Sequence, residues 1–142
     1  MVDIRELRLG NFFKTPVCNK FRVDEIYKDE RGLYCVKCDI GCNGSYIYGD
    51  IKYLQPIPLT EELLLKCGFE KKKIVSVDIE HKYIYHHKEF GFISCNFAYC
   101  INDTNDYSEY DDVLELSLPL KHLHQLQNIY FDFTGKELEI NL

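Results

Sequence analysis

Apolar positions near the C-terminus repeat with the period of a helix. At about 100° per residue, Leu123, Leu126, Ile129, Tyr130 and Phe133 share one arc, and Lys121, His124, Gln125, Asn128 and Asp132 share the opposite one. Pro119 suits a first helical turn, where its missing N–H has no intrahelical partner to lose. Gly135 stands where a left-handed C-cap would end the helix. The pattern predicts one helix from Pro119 to Thr134, with its apolar arc on a core and its polar arc in water. A shorter helix is punctuated as clearly. Thr60 is a natural N-cap, Glu61 and Glu62 complement the positive helix end, Leu59 and Leu64 fit a hydrophobic staple, and Gly68 stops it before Phe69.

Elsewhere the period is that of strands. Residues 1–55 carry short β-rich runs separated by turns: Phe12–Val17, Phe21–Ile26, Leu33–Cys38 and Ser45–Leu54, with Asp29–Gly32 and Gly41–Gly44 between them. Short strands with tight turns predict a small SH3-like β-barrel or a curled meander. Residues 72–118 return to strands. Val75, Val77 and Ile79 alternate, Glu80-His81-Lys82 reads as a turn into Tyr83–His87, and Lys88-Glu89 as a turn into one long run, Phe90–Ile101. Val113–Leu118 reads as a further strand, and Leu138, Ile140 and Leu142 as an edge strand. The expected class is α+β, with a β subdomain over 1–55, a helix–antiparallel sheet–helix subdomain over 56–142, and the two packed as one unit.

Composition adds bounds. The 142 residues are 46% hydrophobic with 20 Phe and Tyr, ample for a core, and no apolar run reaches membrane-spanning length. The first residues are charged rather than apolar, so a protein cytosolic in whichever cell makes it is expected. The net charge of −6 argues against general nucleic-acid binding. The charge is uneven, however. Residues 66–88 hold six lysines and three acids, whereas residues 102–118 hold six acids and no Lys or Arg. One region suits an anion and the other a basic partner surface.

Candidate chemistry follows from these patches. Lys82, His86 and Lys88 would share one strand face and Tyr83, Tyr85 and His87 the other, a cationic face beside rings on which a nucleotide-type anion can stack. Asp103, Asp106, Glu109, Asp111 and Asp112 form an acidic loop, a candidate partner surface. It fails as a calcium loop, because Tyr107, Ser108 and Leu114 occupy positions that need a ligand, a glycine and a glutamate. Seven cysteines, an odd number, read as reduced thiols. Cys35, Cys38 and Cys42 have spacing that can begin a zinc site, with Cys67 or Cys18 as a fourth ligand, but on an extended chain Cys35 and Cys38 point to opposite faces. Zinc is therefore an alternative, and no cofactor is the expectation.

There is no glycine-rich phosphate loop, G-x-S-x-G elbow, H-E-x-x-H or dinucleotide fingerprint. Three segments carry a resemblance: Leu7-Arg-Leu-Gly-Asn11; Pro56-Ile-Pro-Leu-Thr-Glu-Glu62 through Gly68-Phe69; and His124-Gln-Leu-Gln-Asn128 through Tyr130-Phe131 and Thr134-Gly-Lys-Glu-Leu138. In these the chain resembles a family of small uncharacterised proteins encoded by phages and mobile elements of gut bacteria. The resemblance implies a genetic context, with the cytoplasm of a bacterial host as the expected location, and no reaction. The expected function is non-catalytic binding, of a host protein or of a nucleotide-type signal used in host defence, with self-association an open option. The alternatives are a zinc-stabilised structural or nucleic-acid-binding module and an enzyme with an unrecognised cysteine or histidine site.

Overall fold

The computed structural model describes residues 2–39, 46–76, 79–94, 97–101 and 114–141. The chain divides into two compact units, residues 1–58 with 122–129, and residues 59–121 with 130–142. Among the described residues both are built from antiparallel sheets, and two α-helices complete an α+β fold.

The first unit opens with a single 3-10 turn, Ile4–Glu6, capped by the Asp3 carboxylate. Strands β1 (Phe12–Thr15), β2 (Cys18–Arg22), β3 (Glu25–Lys28), β4 (Tyr34–Asp39), β5 (Tyr46–Asp50) and β6 (Gln55–Pro56) follow. They form two three-stranded sheets, in the orders β2-β1-β6 and β3-β4-β5. The second is a meander in chain order, and no closed barrel forms among the described residues. The turn between β3 and β4 is tied by Asp29, whose carboxylate accepts from the N–H groups of Arg31 and Leu33 at 2.9 Å each. Phe13, Phe21, Val23, Val36 and Leu54 form the buried core of this unit.

The second unit begins with α1 (Glu61–Lys66), a helix closed at both ends by local chemistry. The Thr60 hydroxyl accepts from Leu63 N–H at 3.2 Å. At the other end Phe69 N–H reaches Leu64 O and Gly68 N–H reaches Leu65 O, each at 3.1 Å, the paired bonds of a Schellman motif. Strands β7 (Glu70–Ser76), β8 (Ile79–His87), β9 (Gly91–Ser94), β10 (Ala98–Ile101) and β11 (Leu114–Pro119) make one five-stranded sheet in the order β11-β10-β9-β8-β7. Phe92, Ile93 and Ser94 of the central strand are all buried, as expected for a strand covered on both faces.

Several predicted boundaries move. The run Phe21–Ile26, read as one strand, divides between β2 and β3, which belong to different sheets. Residues 80–82 are not a turn but part of β8, because pairing with β7 extends to Ile79 opposite Ser76. The run Phe90–Ile101 is not one strand. Phe97 adopts a left-handed φ of 55°, its N–H bonds Ser94 O at 2.9 Å, and the chain doubles back so that Tyr99 pairs with Ile93. Alternation of apolar residues looks the same in one long strand as in two strands of a hairpin. The residues after Gly135 form no strand among those described, yet Leu138 is buried and Asn141 N–H bonds Lys66 O at 3.0 Å.

Helix α2 (Leu123–Thr134) is shorter than predicted. Pro119 instead closes β11, opposite Ala98, and His122 precedes the helix with its N–H bonded to Gln125 Oε1 at 3.2 Å, one half of a capping box. Gly135 takes the predicted left-handed conformation at φ 69°. The polar arc is divided: Lys121 and Asp132 are exposed, whereas His124 is buried, as is Gln127 between the two arcs. His124 is 1% exposed and Gln127 3%, whereas Phe133 of the apolar arc is 56% exposed.

These polar side chains bind the N-terminal segment of the first unit. Gln127 Oε1 accepts from Phe12 N–H at 2.9 Å while its Nε2 donates to Gly10 O at 3.0 Å. Asn128 Oδ1 accepts from Asn11 Nδ2 at 2.9 Å, and Asn128 Nδ2 donates to Glu6 O at 2.7 Å. His124 Nε2 lies 3.1 Å from Glu6 Oε2, with its ring 4.9 Å from that of Phe13. The first and third of the segments behind the family resemblance therefore meet as one hydrogen-bonded seam.

Gln127→Ala should cost about 2 kcal/mol, because it leaves a half-buried backbone donor and acceptor without the side chain that serves both. The exposed change Asp132→Ala should stay within about 0.5 kcal/mol. Urea denaturation of the two variants checks this.

Burial holds the His124 imidazole below its ordinary value of 6.5, more than Glu6 raises it. The folded state thus prefers neutral His124. Its contribution to stability is complete above pH 6.5 and is lost as pH falls toward the depressed folded value. His124→Gln should flatten the loss of stability between about pH 7 and pH 5, read from denaturation midpoints.

Candidate functional site

Strand alternation and the two capped ends of α1 set out an open cleft in the second unit. In β7, Glu70 lies opposite His86 of β8, and Lys72 lies opposite Ile84, so Glu70, Lys72 and His86 share one face of the strand pair. Lys88 follows in the exposed β8–β9 turn. Lys66 closes α1, and Cys67 and Gly68 carry the chain into β7. The segment held by Leu138 and by the Asn141–Lys66 bond adds Glu139 and Asn141. Together these residues and His87 line a cavity of about 450 Å³.

The lining is polar and of mixed sign. It carries three lysines, Lys66, Lys72 and Lys88, against two acids, Glu70 and Glu139. Lys66 Nζ also reaches Glu62 at 2.8 Å across one helical turn. Burial lowers both histidines below the ordinary imidazole value, for His86 with help from the Lys72 charge. Both are therefore neutral at pH 7 and act through hydrogen bonds. Glu89 N–H donates to His87 Nδ1 at 3.2 Å, which assigns the ring proton to Nε2. The His87 ring is wedged between Phe69 at 5.1 Å and Tyr130 at 5.2 Å. Gly68 lies beside it, and a Cβ there would sit 3.5 Å from Nε2, an ordinary contact. It is the φ of +83° that demands glycine at this position.

The six residues predicted for ligand binding part company. His86, His87 and Lys88 come together in the cleft. Tyr83 and Tyr85 alternate to the opposite strand face from His86 and serve a different cluster. Tyr85 is buried, donates its hydroxyl to Glu61 Oε2 at 2.7 Å and stacks on Phe97 at 6.1 Å. Lys71 Nζ bonds Glu61 at 2.9 Å and lies 4.2 Å from the centre of the Tyr83 ring. The Lys71 bond, then that from Tyr85, lowers the Glu61 pKa. Lys82 pairs with Ile74 on β8, and its side chain lies outside the described residues. Lys66 and Lys72 belong to the lysine-rich stretch visible in sequence. Glu139 and Asn141 carried no signal, since their segment read as an edge strand.

The cysteine and acidic candidates are placed less fully. Cys35 and Cys38 are buried on β4, three residues apart, and only Cys38 belongs to the core cluster of the first unit. Cys42 and the acidic residues Asp103, Asp106, Glu109, Asp111 and Asp112 lie outside the described residues. Among the described residues no group of three His, Cys, Asp or Glu is arranged to hold a metal. Among the described residues, too, no helix is long and apolar enough to cross a membrane. Cys67 is the thiol beside the cleft. Burial, at 2% exposure, pushes its pKa up to about 12, so its nucleophilic thiolate is scarce at neutral pH.

No protein-family model matches the chain. No curated protein matches it, and no solved structure does.

Iodoacetamide at about pH 8 should leave Cys67 unmodified in the folded protein and modify it after unfolding in urea. Peptide mass mapping reads the difference, and rapid native labelling of Cys67 would contradict the assignment.

Proposed function

We propose that the protein is a non-catalytic binding protein of phage or mobile-element origin, and that the cleft of its second unit sequesters a small nucleotide-type anion. The observation that carries this reading is the convergence of Lys66, Lys72 and Lys88 with the neutral donors His86 and His87 around one cavity of about 450 Å³. Ammonium groups and imidazole N–H groups suit phosphate oxygens. Glu70 and Glu139 offer acceptors of the kind that bind ribose hydroxyls. With Tyr83 and Tyr85 committed elsewhere, affinity rests on charge and hydrogen bonds rather than on base stacking. The protonated thiol of Cys67 fits a binding role better than a nucleophilic one. Taking up a nucleotide signal is one way in which such a protein counteracts host defence.

Isothermal titration with adenosine and guanosine monophosphates and their cyclic forms tests the reading. At least one should bind, and Lys72→Ala should weaken it about tenfold, equivalent to about 1.4 kcal/mol. Absence of binding by every nucleotide, or full affinity in Lys72→Ala, would overturn it.

A further inference from the structure

The two ring nitrogens of buried His124 stand in unlike surroundings. Nε2 lies 3.1 Å from Glu6 Oε2. An ionised carboxylate only accepts hydrogen bonds, so the single proton of the neutral ring sits on Nε2. Nδ1 is then a bare lone pair, and among the described residues it has no hydrogen-bond partner. An unpaired acceptor costs modestly, whereas an unpaired charge in a dry setting costs far more. Acid has only Nδ1 left to protonate, and there it would create a cationic donor that faces no acceptor.

Three parts of the first unit face this ring. The 3-10 turn supplies Glu6, whose charge favours the imidazolium. Strand β1 supplies the uncharged ring of Phe13, fully buried and 4.9 Å away. The chain just before α2 supplies His122, stacked at 5.6 Å, where a charge opposes a second one on His124. The further cation of the seam is Arg8, whose guanidinium donates to Asn128 O at 3.3 Å. Burial outweighs the help from Glu6.

The segment held by this seam is open to local release. Residues 2–11 belong to no sheet. Among the described residues, the backbone bonds of residues 3–9 close within the segment: Glu6 N–H to Asp3 O, Leu7 N–H to Ile4 O and Asn11 N–H to Arg8 O. Besides the apolar packing of Val2, Ile4 and Leu7, the segment is tied to α2 by His124 on the Glu6 carboxylate, Asn128 on Glu6 O and Arg8 on Asn128 O. Strand β4, by contrast, is paired along both sides.

We propose that the seam is an acid-sensitive latch: a proton on His124 makes α2 release residues 2–11 and the Phe12 N–H, while the sheets of the first unit stay formed.

Amide exchange of the full chain, followed residue by residue by NMR and corrected for the intrinsic effect of pH, tests this. From about pH 7 to about pH 5 the Phe12 N–H should lose at least about threefold in protection, while the paired amides of β4 keep theirs. His124→Gln keeps a donor for Glu6 but takes up no proton, so it should abolish the loss. Glu6→Gln removes the charge that favours the imidazolium and should enlarge the loss. Loss of protection in all strands together, no loss at Phe12, or an equal loss in His124→Gln would overturn the latch. Should His124→Gln not fold, a loss that Glu6→Gln leaves unchanged or reduces would overturn it alone.

Discussion

Gln127 does with a side chain what a neighbouring strand would do with its backbone. Its amide oxygen receives the Phe12 N–H and its amide nitrogen donates to Gly10 O. A buried peptide group without a partner costs about 1–3 kcal/mol, so the point where the N-terminal segment turns into β1 needs such a supplier. Once it is in place, Asn128 and His124 complete the same seam. Asn128 serves Asn11 and Glu6, and His124 meets the Glu6 carboxylate. Phe13, first in line behind this seam, is fully buried in the core of the first unit. The seam therefore fixes where β1 begins, and with it the register of β2 and β6 on either side.

The second unit solves a different problem. Its sheet is a plain antiparallel meander whose central strand is buried on both faces. Chemistry is left to the margin of that sheet: the end of α1, the β7–β8 pair and the turn after β8. There the charges sort by strand face. Lys71, Tyr83 and Tyr85 gather around Glu61 on one side, and Glu70, Lys72 and His86 stand on the other. The alternation of a single strand pair thus separates the cluster around Glu61 from the residues that line the cleft.

Much of this was legible in the sequence where local chemistry decides the outcome. Thr60, Gly68 and Gly135 mark helix ends through hydrogen bonds and a backbone conformation that few neighbours can override. The α+β class follows from periodicity over long stretches. Legibility failed where two arrangements produce the same pattern. His124 and Asn128 of the polar arc of α2 read as solvent-facing, yet with Gln127 they form a hydrogen-bonded seam, because polarity says that a side chain needs partners without saying whether they are water. The run from Phe90 reads as one strand because nothing apolar marks the reversal, which rests on the unusual backbone of Phe97. In the cleft, His86, His87 and Lys88 were visible from their clustering. Tyr83 and Tyr85 stand on the strand face opposite His86, as read from the sequence, but Tyr85 is tied there to Glu61 and does not line the cleft. Glu139 and Asn141 reach the cleft by a docked segment that no period announces.

The position of β7 at the end of its sheet has a further consequence. An outermost strand offers a row of open backbone groups to any other chain that arrives in extended form. Here that row is flanked by Lys71, Lys72 and Lys73 in succession. Lys71 is held by Glu61, but a second copy approaching edge to edge would still set Lys72 and Lys73 near their own counterparts, and like charges opposed in this way work against such pairing. Of the three, only Lys72 also lines the cleft, so one residue both contributes to the sign of the cleft and guards the open edge of the sheet.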